Sequence, residues 1–189
     1  MARKLPSKGE VYVLKVTLKD IQVPIWRTIQ VRSDITLGKL HRVLLAVMGW
    51  TGSHLHQFNI GGRHYGEADP ESGTTDVIDE RNVKLNQVVA GEKTEFIYEY
   101  DFGDLWEHEL VIEKTLPRES AKPTAVCLAG ERSSPPEDCG GVSGYAEFLD
   151  AIQNSDHPQH HEMLEWVGGN FDAEAFDLGA VNRALRKIA

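Results

Sequence analysis

The densest chemistry in the chain is the run from Tyr98 to His108, which gathers aromatic rings, carboxylates and an imidazole around one turn. Asp101 and Asp104 flank that turn and His108 follows it, a set able to hold a divalent cation or to move protons. Asp side chains also stabilise turns by bonding their own backbone, so the same pair admits a purely structural reading. His54 and His56 stand two residues apart in a second cluster. In strands, alternation puts His54 and His56 on one face with Phe58 and Ile60, and His108 on one face with Trp106, Leu110 and Ile112. All three imidazoles then point inward. There each needs a hydrogen bond or a ligand, because an unsatisfied buried polar group costs on the order of 1–3 kcal/mol. The expected pocket is His54, His56, Tyr100, Asp101, Asp104, Trp106 and His108, near one end of a sheet.

Two cysteines, Cys127 and Cys139, bracket a loop rich in proline and glycine. Folded back, that loop could join both thiols to a histidine (His54, His56 or His108) as ligands for a divalent metal such as zinc, but the spacing is not a paired C-x-x-C and inert packing is the simpler expectation. Glu137, Asp138 and Cys139 form a second candidate site just before a helix expected to start near Ser143. The helix N-terminus would favour an anion, whereas Glu137 and Asp138 would repel one. Walker, Rossmann and G-x-S-x-G motifs are absent, and His160-His161-Glu162 lacks the H-E-x-x-H spacing. Asp101-Phe102-Gly103 occurs in protein kinases, but the glycine-rich loop, the lysine strand and the catalytic loop are missing. No motif names a reaction.

The elements that must position these groups are legible from periodicity. Residues 1–9 read as a loose leader. Tyr12, Leu14, Val16 and Leu18 alternate as one face of a first strand, and Ile25 to Val31 supplies its hairpin partner, with Trp26, Ile29 and Val31 as its apolar residues. Ser33 or Asp34 is placed to cap a helix carrying Leu37, Leu40, Leu44, Leu45 and Met48, which Gly49 ends. His54 to Ile60 and Arg63 to Tyr65 read as a hairpin turned by Gly61-Gly62. Glu67 to Glu80 reads as an acidic surface loop, and Val83 to Val89 as a helical turn or short strand. Thr94 to Tyr100 and Trp106 to Lys114 are two more strands, joined by a turn in which Gly103 is available for a positive φ. After a short strand at Ala125 to Ala129, three amphipathic helices follow, the last capped by Asp177.

This order predicts an α+β fold: a mixed, mainly antiparallel sheet, one helix packed after the first hairpin, and a C-terminal cluster of about three helices. With 41% hydrophobic residues in 189, one domain over residues 10–189 can bury a sizeable core. A net charge of -9 disfavours unspecific attraction to nucleic acid or anionic lipid. No apolar stretch is long enough to span a membrane and no secretory signal opens the chain, so the expected compartment is the cytoplasm.

Ile25-Trp26-Arg27, Leu40-His41, Met48-Gly49-Trp50, His54-Leu55-His56-Gln57-Phe58, Tyr100-Asp101-Phe102-Gly103-Asp104, Trp106-Glu107-His108 and Pro135-Pro136-Glu137-Asp138-Cys139-Gly140-Gly141 together resemble the plasmid pRiA4b ORF-3-like family. The likeness runs from about Val11 to the C-terminal helix. It implies a compact α+β domain of bacteria and archaea, often carried on plasmids or beside transposable elements, with no settled activity. Some members carry a resolvase-like name as passengers of insertion elements, but this chain shows neither a recombinase serine among arginines nor a helix-turn-helix. The resemblance also implies a cysteine before the Pro-Pro pair, where this chain has Ser134, so a three-thiol site would be incomplete. Two functional expectations follow: a non-catalytic binding or accessory protein that takes a protein segment or small ligand, or a metal-assisted hydrolase using the His and Asp cluster.

Overall fold

The computed structural model describes residues 9–67, 77–118 and 123–188. Alternating apolar residues build β1 (Glu10–Leu18), whose Tyr12, Leu14, Val16 and Leu18 are buried. It pairs antiparallel with β2 (Trp26–Arg32) on one side and β7 (Trp106–Pro117) on the other. β3 (His56–Ile60), β4 (Arg63–Gly66), β5 (Val77–Asp79), β6 (Glu95–Tyr100) and β8 (Ala125–Glu131) complete one mixed sheet in the order β5-β4-β3-β6-β7-β1-β2-β8. Only the β4/β5 pair is parallel among these strands. α1 (Leu37–Met48) buries Leu37, Leu40, Val43, Leu44 and Val47, and it also contacts α5 (Leu178–Leu185). α2 (Leu85–Val88) is a single helical turn, while α3 (Gly141–Gln153) packs on α4 (His160–Trp166). The fold is the α+β arrangement that the periodicities predict.

Four local expectations are corrected. α1 is capped by Thr36, whose Oγ1 accepts from Lys39 N at 3.3 Å. Asp34 is not available for capping because its carboxylate is held by the Arg32 guanidinium at 2.7 Å through both oxygens. In β2, Arg27 shares the buried face with Ile29 and Val31, and Trp26 lies on the opposite face with its Nε1 donating to Glu131. In the β6–β7 turn the left-handed residues are Asp101 (φ 61°) and Leu105 (φ 56°), not Gly103. Asp101 can adopt that conformation because its Oδ1 accepts from Gly103 N and Asp104 N. The acidic segment is only in part a loop. Residues 68–76 lie outside the described residues, residues 77–79 are β5, and Glu80 is buried.

Gly49 ends α1 in the left-handed region (φ 78°), as expected. Asp177 caps α5 by accepting from Ala180 N at 2.8 Å. From α5, Asn182 reaches β8, accepting from Cys127 N and donating to Cys127 O, both at 2.9 Å.

Candidate functional site

The loop from Arg132 to Gly140 folds back over the β6–β7 turn, and nearly every residue of its Pro-Pro-Glu-Asp-Cys-Gly-Gly run has an assigned contact. Trp50 Nε1 donates to Pro135 O at 2.9 Å. Tyr100 Oη donates to Glu137 Oε1 at 2.5 Å, and Thr51 N donates to Glu137 Oε2 at 3.0 Å. Burial pushes the Glu137 carboxyl up, but hydrogen bonds from Tyr100 and from the Thr51 side chain and backbone, with His54 nearby, outweigh it and hold the group below its ordinary value. Burial and the same carboxylate raise the Tyr100 phenol. Asp104 Oδ2 accepts from Gly140 N at 3.2 Å. Gly141, at φ 69°, lies so close to the turn that a Cβ there would sit 2.5 Å from Asp104 O. The run that carries the family likeness is thus the seam between a loop and a turn.

At that seam His54 stands between two carboxylates. Its Nδ1 lies 3.5 Å from Asp101 Oδ2 and its Nε2 lies 3.2 Å from Asp138 Oδ1. His54, Asp101 and Asp138 are the group of three among the described residues whose ligand atoms could hold a metal ion. The environments differ: the Asp101 side chain is 10% exposed and that of Asp138 is 71% exposed. Among the described residues, neither ring nitrogen of His54 is hydrogen-bonded to a hydroxyl or thiol. Thr51 Oγ1 and Ser53 Oγ bond each other instead, at 2.6 Å. Around the cluster, Leu55, Phe102 and Leu105 are exposed by 61%, 44% and 56%.

The residues expected to share one pocket are divided among three surroundings. His54, Tyr100, Asp101 and Asp104 meet at the seam, where Asp138, Glu137 and Cys139 join them from the loop. His56 is buried but faces another way: its Nε2 lies 3.0 Å from Glu80 Oε2, and its ring stacks on His41 with centroids 3.4 Å apart. His108 is wholly buried in the core beside Trp50, with Nδ1 at 3.3 Å from Tyr98 O. Burial lowers its pKa to about 4. Among the described residues, Trp106 Nε1 and His108 Nε2 are both buried without a hydrogen-bond partner. His54 itself precedes β3 and is half-buried, so strand alternation governs His56 and not His54.

The two cysteines are free thiols, and neither belongs to a three-residue ligand cluster among the described residues. Cys127 is buried on β8 with its thiol donating to Ala129 O, and burial raises its pKa. Burial, with Asp104 adding, pushes Cys139 up to about 12. Neither is poised as a thiolate.

Three residues outside the expected site matter to it. Arg27 is 2% exposed and donates to Val47 O, Trp26 O, Glu131 O, Arg132 O and Ser134 Oγ, so it anchors the loop from below. Burial lowers its pKa to about 10. His41 pairs its Nδ1 with Tyr98 Oη at 2.8 Å and, with Glu80, lines a surface cavity of about 500 Å³ at the start of α1. Burial, with His56 and Arg42 adding, lowers His41 to about 3. Period two places Arg27 with Ile29, and helical spacing places His41 with Leu37 and Leu45. Glu80 carries no comparable sequence signal.

The chain belongs to the plasmid pRiA4b ORF-3-like family, whose model matches residues 10–180. An uncharacterized protein of Sinorhizobium fredii, y4hQ, is 40% identical over 179 residues, covering 93% of this chain and 91% of that protein. A crystal structure of a protein of unknown function from Methanosarcina mazei Go1 matches with a TM-score of 0.81 at 36% identity, covering 90% of this chain and 97% of that one. These likenesses settle kinship and fold and bring no reaction with them. Among the described residues, no helix is long and apolar enough to cross a membrane.

Proposed function

We propose that this is a non-catalytic binding protein that recognises a basic, apolar segment of a partner protein at the β6–β7 turn. One observation carries the reading: Leu55, Phe102 and Leu105 are exposed beside a turn that carries Asp101 and Asp104, with the exposed Asp138 close by at His54. Leu55 and Leu105 are tied to Asp101 through the backbone, by Asp101 N to Leu55 O at 2.8 Å and Leu105 N to Asp101 O at 2.6 Å. Exposed apolar side chains held on a rigid turn cost little to order when a partner arrives. Neighbouring carboxylates select cationic side chains and repel acidic ones. The family name, taken from a plasmid reading frame, supports an accessory role with plasmids or mobile elements, and the net charge supports a protein partner over nucleic acid. A cytoplasmic setting fits this role.

A random peptide library displayed against the purified protein tests the reading. Enriched peptides should combine Lys or Arg with Leu or Phe. The Phe102→Ser, Leu105→Ser double variant, altered only at exposed positions, should keep its circular dichroism and bind them at least tenfold more weakly, about 1.4 kcal/mol or more. Equal binding by wild type and double variant sinks the proposal. So would turnover of carboxyl esters or phosphoesters that disappears in His54→Gln, which would favour metal-assisted hydrolysis.

A further inference from the structure

His54 presents an electrostatic problem at the seam. Carboxylate oxygens face both of its ring nitrogens, and one ligand atom from each of His54, Asp101 and Asp138 lies within 4.8 Å of the others. Asp101 is the deeper and less solvated of the two carboxylates, and its Oδ2 faces Nδ1 at 3.5 Å while its Oδ1 is held by the turn. His54 Nε2 faces the exposed Asp138 Oδ1 at 3.2 Å. Nε2 is also enclosed and makes no hydrogen bond of acceptable geometry, Asp138 included.

We infer that His54 Nε2 and Asp138 hold a divalent transition metal ion of the zinc type, with Asp101 as the positioning residue behind the imidazole. The separation fits. Two ligands bonded to tetrahedral zinc at about 2.0–2.1 Å stand about 3.3 Å apart along one edge of the tetrahedron, and the observed distance is 3.2 Å. The pattern of burial fits as well. An imidazole that ligates through one nitrogen is held by a carboxylate on the other, and Asp101 occupies that place with its Oδ1 already fixed by the turn. Asp138 is 71% exposed, so water could complete the coordination from its side. Imidazole with carboxylate favours zinc-like ions over calcium and magnesium, which prefer oxygen alone. The ion would fasten the loop before α3 to the segment before β3, with Asp101 linking the β6–β7 turn to it through the imidazole, and this role stands whether or not Phe102 and Leu105 receive a partner.

Zinc ion alone, titrated calorimetrically into the purified chain, tests the site, with the ¹⁵N shift of His54 Nε2 as a direct reporter. The expected result is saturable binding of one ion and a shift confined to that nitrogen. Affinity should drop at least tenfold in His54→Gln and in Asp138→Asn, and by roughly 10–100-fold in Asp101→Asn. Asp138 is exposed, so its variant folds and keeps the test decisive. His161→Ala, at an exposed histidine outside the cluster, should bind as wild type does. Absence of saturable zinc binding, or affinity unchanged by His54→Gln and Asp138→Asn, overturns the inference. So does equal binding of calcium or magnesium that ignores His54.

Discussion

A guanidinium buried without a carboxylate must find oxygen for every N–H, and Arg27 does so with four carbonyls and a hydroxyl drawn from β2, the end of α1, the end of β8 and the loop that follows it. Its flat face also lies over Phe176, 4.5 Å from the ring centroid. Lysine has the charge but not the planar fork, so Arg27→Lys leaves several of those oxygens unpaired in the interior. The expected loss is on the order of 2–4 kcal/mol, read as a lower urea midpoint with an unchanged slope. A midpoint within error of wild type would show that the carbonyls are satisfied in other ways. Ser134, standing where the family likeness implies a cysteine, is one of the five acceptors. In this chain that position therefore serves the arginine.

At the scale of elements, glycine is what allows the seam to close. A Cβ on Gly144 would lie 2.0 Å from Cys139 O, and that oxygen belongs to rigid backbone. Gly144→Ala should therefore displace the start of α3 or the loop, with a stability loss of about 2 kcal/mol or more in chemical denaturation. It should also broaden or shift the amide resonance of Gly140, which donates to Asp104. A variant with native stability and native Gly140 resonance would remove the close approach. The sequence announces such features unevenly. Strand and helix positions were readable because burial repeats every second or every third to fourth residue, and the sheet followed from that. The meeting of Asp138 with His54 was not, because it depends on a loop crossing from residue 138 to residue 54, and no periodicity encodes loop paths. Glu80 escaped for a related reason: it follows a polar acidic stretch, and only the tertiary fold brings it beneath His56.

For the whole molecule, the buried imidazoles set the response to acid. Folded His108 has its pKa lowered to about 4 and folded His41 to about 3, against 6.5 for the free side chain. Between those limits the unfolded chain takes up protons that the folded chain refuses, so stability falls as pH drops below about 6.5. His108 alone should contribute a slope of up to about 1.4 kcal/mol per pH unit down to about pH 4. Urea midpoints measured across that window should show the decline, and His108→Gln should show a shallower one. Parallel slopes for the two proteins would mean that His108 accepts a proton without unfolding. Carboxylates held below their ordinary values, such as Asp34 beside Arg32, add their loss only at lower pH. The two windows are separable.

Asn182 bears on whether molecules of this kind stay apart. β8 ends the sheet, and its outward N–H and C=O at Cys127 are the groups through which a strand from another copy would attach. The amide of Asn182 occupies both, offering oxygen to one and hydrogen to the other as a peptide unit would. A side chain thus impersonates the absent neighbour, and the ladder finds its next rung already taken by its own helix.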